Sequence, residues 1–247
     1  MLHNTMIKLM STITSISLLS IFSFSTICLA DYYVKTPAHG GSDLNAGTSW
    51  ATAKATISAA ISSVSSTDTV HVAAGTYTEN ISFVSNLTLL GGYPATGGDS
   101  QNPSIYETII DGRGMGSVVT FNFNTSCTID GFTLQNGNAS SDGGGINCIN
   151  SSATISNNRI INNTTPGGGG GIHIYRVTYT ITGNSIAGNS TASGNSGGGI
   201  YLDYPDWDPG TCTISNNFIA DNSTFNGGGI EVSSYGNILI DRNIFCS

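Results

Sequence analysis

The chain has little charge, and little of that charge is positive. Only 9% of its 247 residues are charged, with 7 Lys and Arg against 15 Asp and Glu. Recognition of a nucleic-acid backbone requires a basic face, so the composition argues against nucleic-acid binding. Cysteine is scarce as well: there are 5, and none has the spacing from other Cys or His residues that is typical of a zinc site.

Long apolar runs are confined to the N-terminus. Residues 1–30 carry one cation, Lys8, followed by an apolar stretch from Ile13 to Leu29 that only Ser and Thr interrupt, and they end at Ala30. This pattern is typical of a secretory signal that is cleaved after Ala30. A membrane anchor is the alternative, but the stretch is short and diluted by hydroxyl side chains. Cleavage leaves 6 cations against 15 anions, a net charge of −9. We therefore expect an exported mature protein, secreted or held at the cell surface, without a membrane span.

The sequence is rich in internal repeats. An isoleucine that follows Thr or Leu recurs as Ile129, Ile155, Ile181, Ile214 and Ile240. The steps between these isoleucines are equal, except that the step from Ile181 to Ile214, which we call the long step, has extra residues. Asparagine recurs at two fixed distances after the isoleucine, as Asn158, Asn184, Asn217 and Asn243 and as Asn163, Asn189 and Asn222. Each unit closes on three glycines and an isoleucine, at residues 143–146, 169–172, 197–200 and 227–230. A fixed period in the twenties indicates stacked supersecondary units.

Each unit holds three short runs in which apolar and polar residues alternate, which predicts strands rather than helices. Three strands in about 26 residues form one coil of a parallel β-solenoid, whose inward side chains pack on the next coil at a spacing of about 4.8 Å. The isoleucines are then the core of an all-β protein. The asparagines are predicted to adopt the left-handed conformation at a turn and to pass amide hydrogen bonds along the stack. The glycines are predicted to form corners with positive φ or close approach to the next coil.

The repeat signatures resemble those of known families. The pair Ile-x-x-Asn and Gly-Gly-Gly-Ile resembles the FxxN and GGA(I/V/L) repeats of polymorphic outer-membrane proteins. The asparagine columns and three-strand coils resemble the right-handed parallel β-helix of the pectate-lyase-like superfamily. The resemblance extends roughly from Thr69 to the end of the chain, with Gly in place of Ala and usually Ile in place of Phe. It implies a right-handed parallel β-helix that is associated with the outer membrane, but lyases, hydrolases, adhesins and inert stalks share this fold.

The segment between the signal and the repeats is predicted to cap the solenoid. An edge strand at Asp31–Lys35 precedes a loop, and apolar residues at helical spacing then predict an amphipathic helix at about residues 52–65, with Ser49 or Thr52 as its N-cap. The domains are thus a signal at 1–30, a cap at 31–68 and a β-helix at 69–247. In the loop, Asp43-x-Asn45-x-Gly47 is half of a calcium-loop pattern, but a turn with side-chain hydrogen bonds is favoured because no Glu completes the pattern.

Candidate binding residues occupy outward positions after the glycine triplets. The long step places its extra residues in a loop that begins at Tyr201 and combines carboxylates with aromatic rings beside Arg176. Rings stack on sugar faces while acids bind hydroxyls or calcium, so this surface is a candidate sugar-binding ledge. Its predicted ligand-binding residues are His173, Tyr175, Tyr201, Asp203, Tyr204, Trp207 and Glu231. A calcium ion is expected, if present, at Asp203, Asp206 and Asp208. The alternative is a solvated loop with turns enforced by proline.

Two functions follow from these observations. The first is an exported surface module for adhesion or glycan binding, whose partner is an extracellular glycan or a host or neighbouring cell. The alternative is a calcium-dependent lyase of an acidic polysaccharide, with Arg176 as the base, or a glycoside hydrolase with Asp203 and Glu231 on either side of the bond. Neither catalytic signature is complete. The fifth repeat stops at Ser247 before any glycine triplet, so we expect the sequence to continue in a longer polypeptide.

Overall fold

A computed structural model of the chain describes residues 30–65, 67–83, 86–122, 126–176, 178–192, 196–203, 211–233 and 237–246. In these ranges the chain forms a right-handed parallel β-helix, as the repeats predict. Every coil contributes one strand in turn to each of three parallel sheets, which we call sheets 1, 2 and 3 in the order in which a coil visits them. A two-stranded parallel pair, Thr164–Thr165 with Ser190–Thr191, lies between sheets 2 and 3 in two of the coils.

The strands are short, and their order in each sheet follows the order of the coils. The eight described strands of sheet 1 are Asp31–Val34, Asp68–Ala73, Leu87–Tyr93, Ser126–Asp130, Ser152–Ser156, Tyr179–Thr182, Thr211–Ser215 and Asn237–Asp241. The seven described strands of sheet 2 are Gly75–Tyr77, Thr108–Asp111, Thr133–Gln135, Arg159–Ile161, Ser185–Ala187, Phe218–Ala220 and Ile244–Cys246. The six described strands of sheet 3 are Ile81–Phe83, Val119–Phe121, Ile146–Ile149, Ile172–Tyr175, Ile200–Asp203 and Ile230–Ser233.

The repeated isoleucines form the core, as predicted. Ile129, Ile155, Ile181 and Ile214 are partners in register along sheet 1, and all four are fully buried. Ile240 continues the register opposite Ile214 but is 44% exposed, so the core prediction fails at this last position. The long step keeps Ile181 opposite Ile214, so the extra residues leave the inward column unchanged. Because β-branched side chains fit a pleated buried surface, a repeated isoleucine is enough to align successive coils.

The asparagine columns form continuous hydrogen-bonded ladders inside the turns. Asn184 Oδ1 accepts the backbone N–H and the side-chain amide of Asn158 at 2.9 and 3.2 Å. Its own amide donates to the Ile155 carbonyl at 2.8 Å and to Asn217 Oδ1 at 3.0 Å. The prediction that these asparagines are left-handed was wrong. The preceding residue takes that conformation instead, for example Asn157 with φ of +54°, which turns the ladder amide inward.

The glycine triplets have the two roles that the sequence predicts for them. The first glycine of a triplet is left-handed, for example Gly169 with φ of +71°. The third approaches the neighbouring coil closely: a Cβ on Gly171 would lie 2.6 Å from the Gly199 carbonyl oxygen. An L-residue is disfavoured at the first position by its φ and at the third by the backbone of the next coil.

The cap contains a helix, but it is shorter than predicted. The helix α1 spans Ile57–Ile61, and two short 3-10 turns precede it at Pro37–His39 and Trp50–Thr52. Residues 53–55 are extended because Lys54 pairs with the first strand through two backbone hydrogen bonds. The N-cap is therefore Thr56, whose hydroxyl accepts the Ala59 N–H, while Ser49 caps the second 3-10 turn. Buried α1 residues join the core beside the first coils.

The half calcium pattern is a structural turn. The Asp43 carboxylate accepts the backbone N–H groups of Ala55 and Thr56, each at 2.9 Å, and the Thr56 hydroxyl at 3.0 Å. The Asn45 amide donates to the Ala53 carbonyl at 2.9 Å. These bonds fix the loop against the start of α1. No helix in the described ranges has the length and apolar character that crossing a bilayer requires.

Candidate functional site

The structure places the described residues of the predicted ledge side by side on sheet 3. His173 is in register with Tyr201, and Tyr201 with Glu231, while Tyr175 lies opposite Asp203. The rings of His173 and Tyr201 are stacked, with centroids 5.6 Å apart. The periodicity of the sequence therefore predicted the correct neighbours on this face.

His173 is nevertheless not part of an open ledge. It is only 5% exposed, because the glycine-rich segments that precede the strands of sheet 3 lie over the outer face of that sheet. A Cβ on Gly169 would lie 2.8 Å from the His173 Cα, and a Cβ on Gly168 would meet the ring of Tyr201. The ring nitrogen Nδ1 of His173 is hydrogen-bonded to Asn147 Oδ1 at 3.0 Å. Burial lowers the pKa of His173, although the carboxylates of Asp142 and Asp203 act in the opposite direction.

The structure describes only some of the remaining ledge residues. The Arg176 guanidinium lies 4.6 Å from the centroid of the Tyr175 ring, in cation–π contact. The buried Oε2 of Glu231 has no hydrogen-bond partner among the described residues. The predicted residues Tyr204, Asp206, Trp207 and Asp208 lie outside the described residues. The described ranges contain no cluster of three His, Cys, Asp or Glu side chains around a common point, so Asp203 as a calcium ligand stays a prediction.

A larger concave feature than the ledge lies elsewhere, on the outer face of sheet 2. It is a groove of about 560 Å³ between the loop that follows the strand Leu87–Tyr93 and four successive coils. Pro103, Ile105 and Glu107 come from this loop, which we call the groove loop (residues 94–107). An adjoining depression of about 410 Å³ shares Pro103, Ser104, Asn157 and Gly183 with the groove and extends it towards Asp130.

The groove loop is held in place by backbone bonds and close packing. Asn102 N–H donates to the Gly92 carbonyl at 2.7 Å, and the Gln101 amide donates to the Gly91 carbonyl at 3.0 Å. A Cβ on Gly92 or Gly131 would lie 2.8 Å from the ring of Pro103. The small residues on the coils thus allow the loop to lie directly against the solenoid.

The floor of the groove is a row of outward side chains along sheet 2. Thr133, Arg159 and Ser185 are partners in register on three successive strands. The Thr133 hydroxyl donates to Glu107 Oε1 at 3.1 Å, and the Arg159 guanidinium lies 4.0 Å from the same oxygen. Both charged side chains are more than half exposed, at 56% and 58%. An ion pair of this kind adds little to stability, so both groups can exchange partners with a ligand.

Asp130 sits at the other side of the groove and is oriented by neutral donors. Its carboxylate accepts the Gln101 amide at 3.0 Å, the Ser156 hydroxyl at 2.6 Å and the Asn157 amide at 2.7 Å. Three neutral donors fix the direction of this carboxylate. The groove therefore offers two carboxylates, one guanidinium and several hydroxyl and amide groups.

The sequence did carry a signal for this groove. Leu89 and Ile129 are stacked partners in the core. The stretch between them is longer than the long step from Ile181 to Ile214, and the long step is the irregularity from which the ledge was predicted. The groove loop supplies the extra residues of this stretch. The period of the repeats does not reveal this insertion, because it precedes the first glycine triplet, where the repeats that define the period are irregular.

A comparison with protein families places the chain. A family model described as "Protein of unknown function (DUF1565)" matches residues 39–239. The chain belongs to the DUF1565 family. The matched range includes the groove, the described ledge and α1, so all three lie in the DUF1565 region of the chain. No curated protein and no solved structure matched the chain.

Proposed function

We propose that this DUF1565 protein is an exported glycan-binding module and that the groove on sheet 2 holds a linear oligosaccharide. The observation that carries the proposal is the shape of the groove. Its lining comes from four successive coils, at Thr108, Thr133, Arg159 and Ser185, so it runs along the solenoid axis; Thr108 and Thr133 are buried, and Arg159 and Ser185 are its accessible floor residues. Three steps of about 4.8 Å give a floor of roughly 14 Å.

The chemistry of the groove suits sugar hydroxyls. Carboxylates accept hydroxyl hydrogens, and a guanidinium donates to hydroxyl and ring oxygens. Glu107 and Arg159 present both kinds of group at one point, while Asp130 presents an oriented acceptor on the far side. Apolar contact comes from Pro103 and the exposed Ile105 on the groove loop.

Charge favours a neutral glycan over an acidic one. The charged lining of the groove and its extension is Glu107, Asp130 and Arg159, and the whole chain has a net charge of −8. An acidic polymer would face repulsion at long range. The alternative, a calcium-dependent lyase with Arg176 as its base, acts on such a polymer and stays the second candidate.

The proposal also includes where the protein acts and which families it is related to. Residues 1–29, which hold the signal pattern, lie outside the described residues, and export rests on that pattern alone. Kinship with the pectate-lyase-like superfamily and with polymorphic outer-membrane proteins is supported by the three-sheet coils and asparagine ladders. A surface-exposed module with these features would bind glycans of the same or a neighbouring cell.

A glycan array tests the proposal. The secreted protein should bind one or more neutral linear glycans, and Arg159→Ala should weaken that binding about tenfold or more, because it removes a charge-assisted hydrogen bond worth about 1.5 to 3 kcal/mol. Arg242→Ala is the matched control, since Arg242 is an exposed arginine paired with Asp241 on another coil. Equal binding by wild type and Arg159→Ala would exclude the groove. Release of unsaturated products from polygalacturonate with calcium, abolished by Arg176→Ala, would favour the lyase.

A further inference from the structure

A second concave site lies on the outer face of sheet 1 near the N-terminal end. Four rings surround a pocket of about 260 Å³, with two carboxylates at its edge. We call it the aromatic cup; its residues are Asp31, Tyr33, Trp50, His71, Tyr93 and Asp99. None of these residues lines the ledge or the groove, although Asp99 belongs to the groove loop.

The rings contact one another in a closed circuit. The centroid of Tyr33 is 4.8 Å from Trp50 and 5.1 Å from His71. The centroid of Tyr93 is 5.5 Å from Trp50 and 5.1 Å from His71. Three of these four contacts are tilted, with interplanar angles of 61°, 50° and 83°. The rings therefore pack on one another and border the pocket with faces and edges in different orientations, not as one flat platform, which suits a compact rounded group better than the flat face of a sugar.

The fold brings the cup together from distant parts of the chain. Tyr33 and His71 are outward partners in register on the first two strands of sheet 1, and Tyr93 ends the third strand. Trp50 begins the second 3-10 turn. The groove loop closes the remaining side, because Gly97 packs on the Trp50 ring so tightly that a Cβ would lie 2.8 Å from it.

Hydrogen bonds fix the orientation of the polar atoms in the cup. A carboxylate can only accept, so His71 Nε2–H donates to Asp31 Oδ1 at 3.2 Å. In the neutral ring, Nδ1 then accepts the Tyr93 hydroxyl at 2.9 Å. Trp50 Nε1–H donates to Asp99 Oδ1 at 3.2 Å. The ring donors are therefore used internally, and ring faces and carboxylate oxygens are left for a ligand.

The side chains of the cup include two carboxylates and the titratable imidazole of His71; cleavage after Ala30 would add the α-ammonium group of Asp31. Asp31 and Asp99 are its two carboxylates, and no Lys or Arg belongs to its described lining. Burial raises the pKa of Tyr33, and the charges of Asp31 and Asp99 raise it further. Burial also raises the pKa of Tyr93, with Asp130 and Asp31 adding to the effect. Ring faces add the negative side of their quadrupoles to these charges.

We propose that the aromatic cup is a binding site for an organic ammonium cation, such as a quaternary trimethylammonium group. Such a cation is attracted by the faces of Trp and Tyr rings within about 6 Å, and paired carboxylates strengthen the attraction. The proposal does not depend on glycan binding in the groove. A DUF1565 module with both sites would recognise a glycan in one place and a cationic substituent or headgroup in the other.

The test compares choline with its neutral isostere, 3,3-dimethylbutan-1-ol. The two tryptophans of the chain are Trp50 and Trp207, so Trp207→Phe leaves Trp50 as the only tryptophan reporter. Fluorescence titration of the full chain in that background should show saturable binding of choline and at least tenfold weaker binding of the isostere. Equal binding of the two, or no saturation by choline, would overturn the proposal.

Two variants test whether choline binding depends on the negative charge at the cup. Asp99→Asn removes one charge but keeps an oxygen that can accept from Trp50, and it should weaken choline binding at least threefold without affecting glycan binding in the groove. Asp221→Asn, an exposed acid on another face, should leave choline binding unchanged. Choline binding that is insensitive to Asp99→Asn, or glucose binding in the cup equal to choline binding, would also contradict the proposal.

Discussion

The regular coils, residues 126–203, and the irregular N-terminal part, residues 30–122, bury their interiors in different ways. In the regular coils an isoleucine, two asparagines and a glycine triplet recur at fixed positions, and polar side chains such as Asn184 are nearly as buried as the isoleucines. In the N-terminal part the core is mixed, with Phe83, Phe121 and Ile57 from different elements. Long insertions there leave the groove and the cup on the surface.

The difference shows how stability and binding are divided in this molecule. Where the repeat is strict, outward side chains line up in register from coil to coil, and those of Thr133, Arg159 and Ser185 form one side of the groove. Where an insertion interrupts the repeat, a loop such as residues 94–107 lies over the coils and makes walls. We therefore expect changes at buried positions of the regular coils to affect unfolding, and changes on the groove loop or at outward positions beside it, such as Arg159, to affect ligands.

Asn184→Ala should have the largest effect on stability. It leaves the buried Ile155 carbonyl and the Asn158 N–H without the partners that Asn184 supplies, at about 1 to 3 kcal/mol for each such group, so the free energy of unfolding should fall by about 2 to 6 kcal/mol. Urea unfolding measures this fall. Ser185→Ala, next to it on the outward face, is the control and should change stability by less than about 0.5 kcal/mol. A loss no larger than that of the control would mean that the ladder is not continuous.

Gly171→Ala should come next. Its new Cβ would meet the Gly199 carbonyl oxygen, which belongs to the backbone of the next coil and cannot rotate away. Overpacking of this kind costs about 1 to 3 kcal/mol. Gly114→Ala is the comparison: its φ of +70° is unfavourable, but its Cβ would meet open space, and we expect a cost of about 1 kcal/mol. If Gly171→Ala lowers the free energy of unfolding no more than Gly114→Ala, the close approach between coils is not the reason for a glycine at position 171.

The smallest effect is a pH dependence from His173. Burial lowers the pKa of this side chain below its ordinary value of 6.5, so folding favours the neutral ring. This contribution to stability is complete above the unfolded pKa and is lost as the pH falls below it, because the unfolded chain then binds more protons. Urea midpoints from pH 7.5 to 5 should fall more for wild type than for His173→Gln. Parallel curves for the two proteins would contradict the account.

The fold could be predicted from the sequence because its determinants repeat. The step from Ile155 to Ile181 equals the step from Ile129 to Ile155, so spacing alone predicts the register of these coils. The left-handed position was missed by one residue, since Asn157 and Asn158 are both asparagines and spacing does not say which one turns. The helix was overestimated because pairing of Lys54 with the first strand outweighs the helical pattern.

The sites could be predicted only in part, because they depend on contacts that do not repeat. Tyr201 and Asp203 were placed correctly as outward neighbours of His173 and Tyr175, but the burial of His173 comes from glycine segments whose path the repeat does not specify. Trp50 and Tyr93 lie in different elements that are far apart in the sequence, and only the folded chain brings them together.

Hydrogen exchange of the full chain, with and without the tightest neutral glycan from the array, tests the central claim that the groove loop and the floor beneath it bind the glycan. We predict that the glycan slows exchange of backbone N–H groups at residues 101–107, 130–133 and 157–160, while exchange at residues 172–175 and 200–203 stays unchanged. Protection confined to residues 172–175 and 200–203 would place binding on the ledge of sheet 3 and contradict the assignment to the groove.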